Sequence, residues 1–138
     1  MKVAVSACLL GDNCKYNGGN NYSEKVAKYV NGHEVIPVCP EVMGGLPTPR
    51  EPSEIVNGIV KHRDGSLVDA EFKKGAEMAL EKVIEGGAEL VILQSRSPSC
   101  GVRSIYDGTF SGTLTSGQGI FAKLLIDNNI KVLDVSEI

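Results

Sequence analysis

Two short stretches of this chain carry almost no polar residue in either phase of a strand alternation: Lys2–Cys8 (KVAVSAC) and Glu89–Gln94 (ELVILQ). A strand with one wet face alternates apolar with polar, whereas a run apolar in both phases is covered on both sides. The chain must therefore build a sheet clad by helices, and helix signals fall between the apolar runs. Ser23 is placed to cap a helix running to about Val30, with Gly32 as its stop signal. Asp69 or Ala70 opens a helix through about Glu85, on which Phe72, Ala76, Ala79, Leu80 and Val83 recur at helical spacing before Gly86-Gly87 end it. Gly117 to Asn128 reads as a last helix through Ile120, Phe121, Leu124 and Leu125.

Further strands are expected at His33–Cys39 and Lys131–Val135. Pro37 suggests a bulge or an early end in the former, because proline cannot donate to a ladder. Asn57-Gly58, flanked by β-branched residues, signals a hairpin. Residues 9–22 form a loop rich in turn residues, and Tyr106-Asp107-Gly108 reads as a turn. Residues 40–54, with four prolines and two glycines, read as an irregular segment whose length points to function. The order strand, helix, strand, hairpin, helix, strand, helix, strand predicts one α/β domain over residues 1–138. Its sheet is mostly parallel, with right-handed crossovers and helices on both faces, a Rossmann-like arrangement with a β-hairpin insertion. Ligands in such sheets bind beyond the carboxyl ends of the strands.

The net charge of −3 gives no general attraction for polynucleotide phosphates, so bulk nucleic-acid binding is not expected. No apolar run approaches the roughly 20 residues that span a bilayer. The first eleven residues read as a buried strand rather than a leader, which places the protein in the cytoplasm by default. Thiols stay reduced there, so its cysteines are metal-binding, catalytic or simply buried rather than paired.

Cys8 falls at the end of the first strand, Cys39 at the end of the second and Cys100 a few residues past the Glu89–Gln94 strand. In a parallel sheet those points share one edge, so three thiols distant in sequence converge. Cysteine is a common buried residue, but three at the same end of three strands favour a working site. Three thiolates suit zinc with an open fourth position or an iron–sulfur cluster with one iron lacking a protein ligand. Spacing does not choose between them. Cys14 reads as a spectator, with a fourth ligand or a redox partner of Cys8 as alternatives. Glu41, two residues past Cys39, is a candidate general acid or base beside the reading of a solvated loop carboxylate. Ser97 and Ser99 fit substrate donation or ordinary turn chemistry. Arg50 and Arg96 read as structural partners of local carboxylates, with anion binding as the alternative, and His33 and His62 fall away from the thiols. Neither a P-loop nor a dinucleotide-binding glycine motif is present.

The motifs SACLLG at 6–11, KYNGG at 15–19, PVCPEVMGGLPTPREP at 37–52, SPSCG at 97–101 and IYDGTFSG at 105–112 resemble the TudS-type thiouracil desulfurases, over nearly the whole chain. The resemblance implies a 4Fe–4S cluster held by Cys8, Cys39 and Cys100 with one open iron, and Glu41 and Ser97 as the catalytic pair. It assigns no role to Cys14, and it implies a chain without the second domain that some relatives carry. The expected activity is non-redox, hydrolytic removal of sulfur from thiouracil or a small thiolated nucleoside. The alternative is a non-catalytic metal or iron–sulfur carrier; a thiol-redox protein using Cys8 and Cys14 is a third reading.

Overall fold

The computed structural model describes residues 1–138. Four parallel strands form the central sheet: β1 (Lys2–Ser6), β2 (Glu34–Val38), β5 (Leu90–Leu93) and β8 (Val132–Asp134), in the spatial order β2-β1-β5-β8. The chain leaves β1 in one direction to reach β2, then crosses back to β5 and on to β8. Strand order thus reverses between β1 and β5, and the crevice at such a switch point is where open α/β sheets bind ligands.

The two travel directions put helices on opposite faces. Helix α1 (Glu24–Val30), between β1 and β2, packs Val26 and Val30 against Val3, Val5, Leu90 and Ile92. Helices α3 (Asp69–Glu85) and α4 (Ile120–Asp127) cover the other face, where Ala76, Ala79, Val83, Phe121 and Leu125 meet Ala4, Val38, Val91 and Leu93. The double apolar phase of β1 and β5 is explained by these two cores, each strand feeding alternate side chains to either side. The Ser23 hydroxyl accepts the Val26 N–H at 3.2 Å, the predicted cap.

Several expectations are corrected in detail. The first strand ends at Ser6, and Ala7–Leu10 coil into a 3₁₀ turn that contains Cys8. Of the two readings of Pro37 the early strand end holds, since β2 stops at Val38, and the bulge does not: β2 is an edge strand paired only with β1, where a missing N–H costs nothing. Residues 40–54 are not wholly irregular. Pro40–Met43 form a one-turn helix, α2, with Cys39 at its N-cap and proline at the first helical position, where its missing N–H is harmless. The Asn57-Gly58 hairpin joins β3 (Ser53–Val56) to β4 (Ile59–His62) as expected. A second hairpin, β6 (Ser104–Tyr106) with β7 (Leu114–Ser116), stands where only a turn was expected. Its strands are three residues each, with Ile105 the one buried side chain and β7 exposed throughout, so they are too short to show an alternation. The last helix starts at Ile120 rather than Gly117, and the final strand gives way to a 3₁₀ turn at Val135–Glu137.

Candidate active site

Three strand ends deliver the thiols. Cys8 sits in the turn beyond β1, Cys39 is the residue after β2, and Cys100 lies in the Ser95–Gly101 segment beyond β5. All three line one cavity of about 690 Å³ at the carboxyl edge of the sheet, together with Cys14, Glu41 and Ser97. The convergence expected from the parallel order is therefore present, although Cys8 lies two residues and Cys39 one residue past the strands.

The Cys100 segment is locked by helix α4. Its first backbone N–H groups have no partners within the helix. Ile120 N donates to the Pro98 carbonyl at 2.9 Å, and Phe121 N and Ala122 N both donate to the Ser99 carbonyl, at 2.9 and 3.1 Å. The helix start thus serves as a template for the thiol-bearing turn. Gly119 is required at this junction, since a Cβ there would lie 2.5 Å from the Ser99 carbonyl carbon. Inside the turn the Ser97 hydroxyl accepts the N–H groups of Ser99 (3.1 Å) and Cys100 (3.0 Å).

Each thiol has its own environment. Burial pushes Cys100 up to about 12, against opposing hydrogen bonds from Ser6 and Ser99. Burial likewise raises Cys8, against a hydrogen bond from Asn21 Nδ2 to its sulfur at 3.5 Å. Cys39 is brought down to about 7, chiefly because Cys14 donates a hydrogen bond to it, and Cys14 is raised for the same reason. Cys14 therefore faces the site and is paired with Cys39 rather than Cys8. All four cysteines are free.

Glu41 projects from α2 into the cavity. One oxygen, Oε1, meets Arg50 Nε at 3.1 Å, and Oε2 accepts from the Ser99 hydroxyl at 2.8 Å. Arg50 is almost wholly buried and also donates to the carbonyls of Cys14 (2.9 Å) and Pro47 (3.2 Å) and to Thr48 Oγ1 (3.1 Å). The structural reading of Arg50 stands, and its location is the site wall. His33 and His62 are not among the cavity's lining residues; His62 bonds Ser53 through Nδ1 at 2.8 Å.

No three His, Cys, Asp or Glu side chains are arranged to hold a single metal ion. A tetrahedral zinc needs its thiolates about 2.3 Å from one point. A cluster spreads its thiolates over different iron atoms, and thiols delivered by three separate strand ends around one cavity suit that demand. The donors lining the cavity, four thiols with no histidine, form a soft set of the kind that iron–sulfur clusters take and that zinc also accepts.

The family model for 2-thiouracil desulfurase matches residues 3–137. This chain belongs to that family. The uncharacterised protein YbbK of Bacillus subtilis (strain 168) is 38% identical over 146 residues, spanning 99% of this chain and 97% of its own. A solved structure described as a [4Fe-4S]-dependent thiouracil desulfidase, TudS, superposes with a TM-score of 0.93 at 38% identity, over 99% of this chain and 92% of that one.

Sequence reasoning missed several residues of the desulfurase site. Asn21 and Ser6 donate to cysteine sulfurs, and Glu54 ties down one wall: its Oε1 accepts from Gly108 N (2.9 Å) and Phe110 N (3.1 Å). Phe110 is held at φ 56°, a left-handed conformation costly for a bulky side chain, and lines the cavity with Tyr16 and Tyr106. Only a carboxylate one residue into a strand, in a loop-rich region, hinted at Glu54.

Proposed function

We propose that the protein is a [4Fe–4S]-dependent desulfurase that converts the thiocarbonyl of thiouracil or a small thiolated nucleoside to a carbonyl, with water in and hydrogen sulfide out and no net electron transfer. The observation that carries this reading is the opening of Cys8, Cys39 and Cys100 onto one cavity that also contains the Glu41 carboxylate. The three thiolates would hold the cluster, leaving one iron without a protein ligand. When bound, the cluster supplies a thiophilic Lewis acid at that iron.

The chain's own residues supply the remainder. Glu41 is the proton carrier: its carboxylate takes a proton from water and returns one to the ring nitrogen or the departing sulfur. Arg50 and Ser99 fix its orientation before substrate arrives, so no reorganisation is needed during the reaction. Ser97, the partner of Glu41 that the family resemblance implies, shapes the Cys100 turn and reaches Glu41 by way of the Ser99 hydroxyl. Tyr16, Tyr106 and Phe110 offer ring faces on which a planar base can stack, worth about 1–3 kcal/mol per base. The cavity exceeds what one pyrimidine ring fills, which leaves room for a ribose. Lys15, Arg63 and Arg96 line it without entering any ion pair and would meet a negative group at the far end of a substrate. Four free thiols suit a reducing cytoplasm, and no helix is long and apolar enough to cross a membrane.

The test is anaerobic purification, iron and labile-sulfide analysis, and assay with 2- and 4-thiouracil, 4-thiouridine and its 5′-monophosphate. Sulfide release that requires an intact cluster is expected. A cluster-loaded protein inert to all four, yet passing its cluster to an acceptor protein, would establish the carrier reading instead.

A further inference from the structure

We infer that Ser99 is a positioning residue joining the catalytic carboxylate to the ligand Cys100, and that Ser97 acts through it. The inference rests on the function proposed above and concerns the same site. Ser99 is 2% exposed, and its Oγ lies 2.8 Å from Glu41 Oε2, 2.9 Å from Ser97 Oγ and 3.6 Å from Cys100 Sγ. A hydroxyl has one proton and two lone pairs. Both N–H groups that reach Ser97 Oγ, from Ser99 and Cys100, occupy its acceptor capacity, so Ser97 is left with a proton to give. An ionised Glu41 only accepts. The one assignment that satisfies every oxygen and nitrogen contact runs Ser97 O–H to Ser99 Oγ and Ser99 O–H to Glu41 Oε2, which leaves Cys100 Sγ as a second acceptor for the Ser99 proton.

Two consequences follow. Ser97 has no proton free for a substrate in this arrangement, because Ser99 takes it. Ser99 has two acceptors for its single proton, Glu41 and the sulfur of Cys100. Glu41 Oε2 and Cys100 Sγ both lie within reach of that one proton, so the placing of the carboxylate and of the ligand sulfur is coupled through one hydroxyl. No side chain other than Ser99 hydrogen-bonds both Glu41 and Cys100.

The experiment compares cluster-loaded wild type with Ser99→Ala, Ser99→Thr and Ser97→Ala. Ser99→Ala should lower kcat for a thiolated base about 10- to 100-fold with KM changed less than about 3-fold, since the hydroxyl meets no substrate. It should also lower the cluster's reduction potential, because hydrogen bonds to ligand sulfur raise it. Ser99→Thr keeps the hydroxyl and should restore both. If the threonine is not accommodated, the pair Glu41→Gln and Glu41→Gln/Ser99→Ala decides: a residue acting through Glu41 has no further effect on kcat once that carboxylate is gone. Unchanged kcat and potential in Ser99→Ala, or full additivity in the double variant, overturns the inference. If the wild type loads its cluster but spares every thiolated base, the proposed function fails, and the potential of Ser99→Ala still decides whether Ser99 reaches the cluster ligand.

Discussion

Glu41 and Arg50 form a pair whose side chains are 15% and 4% exposed, in the wall of a cavity built for chemistry. Glu41→Gln keeps the shape and removes the charge. It should reduce sulfide release roughly 100-fold or more, the usual contribution of a positioned acid–base group, with iron content unchanged by metal analysis. Arg50→Ala leaves the carboxylate without its partner and frees the Cys14 carbonyl. Breaking a buried pair from one side costs roughly 3–5 kcal/mol, to be read as a lowered urea midpoint at constant slope. The thiols differ in kind. In cluster-free protein Cys39 sits near 7 because Cys14 donates to it, and a lowered value means thiolate at lower pH. Iodoacetamide labelling of Cys39, followed by peptide mass spectrometry, should rise around neutral pH, while Cys100, pushed up to about 12, stays unlabelled there. Cys14→Ala should move the Cys39 midpoint upward.

At the scale of elements, the site depends on how closely the one-turn helix α2 lies on α3. A Cβ at Gly75 would fall 1.7 Å from the Pro40 carbonyl oxygen, and one at Gly44 would fall 2.0 Å from the Glu71 carbonyl oxygen. Two glycines facing each other let the backbones meet, and α2 carries Glu41 with Cys39 at its cap. In an open helix Gly→Ala is favourable by about 1 kcal/mol. Here Gly75→Ala should instead cost roughly 1–3 kcal/mol, the range for overpacking a filled contact. It should also displace Cys39 and Glu41 together, so iron content after anaerobic reconstitution and sulfide release fall in parallel. Thermal denaturation against iron analysis separates this from a simple loss of fold.

At the scale of the whole molecule, what was legible in the sequence follows the periodicity of burial. Strands β1 and β5 are covered on both faces and show it residue by residue, so the parallel sheet and the meeting of three cysteines could be derived. The β6–β7 hairpin and the short helix α2 bury little and left no period. The hydrogen bonds from Ser99 and Arg50 to Glu41 join residues 58 and 9 positions apart through loops, and no spacing rule encodes such a contact. The same holds for the bond from Ser95 to Asp134, 39 positions apart, whereas the Asp134–Glu137 capping box in the last turn follows a spacing rule. Ending β8, Asp134 is 4% exposed and accepts from Ser95 Oγ beyond β5 (2.6 Å) and from Ser136 N (2.9 Å) and Oγ (2.6 Å) in the terminal 3₁₀ turn. Burial raises its pKa, but the hydrogen bonds from Ser136 and Ser95 outweigh burial and leave it below the usual aspartate range. A carboxylate whose folded value is depressed stabilises above its unfolded value of about 3.9, and that contribution is lost as pH falls through the folded value. Asp134→Asn should therefore cost about 1.5–3 kcal/mol at pH 7, the range for hydrogen bonds to a charged group. The gap in denaturant midpoint between the variant and wild type should narrow as the pH drops below that of a free aspartate. A gap that stays constant into acid would mean that the carboxylate acts by shape and not by charge.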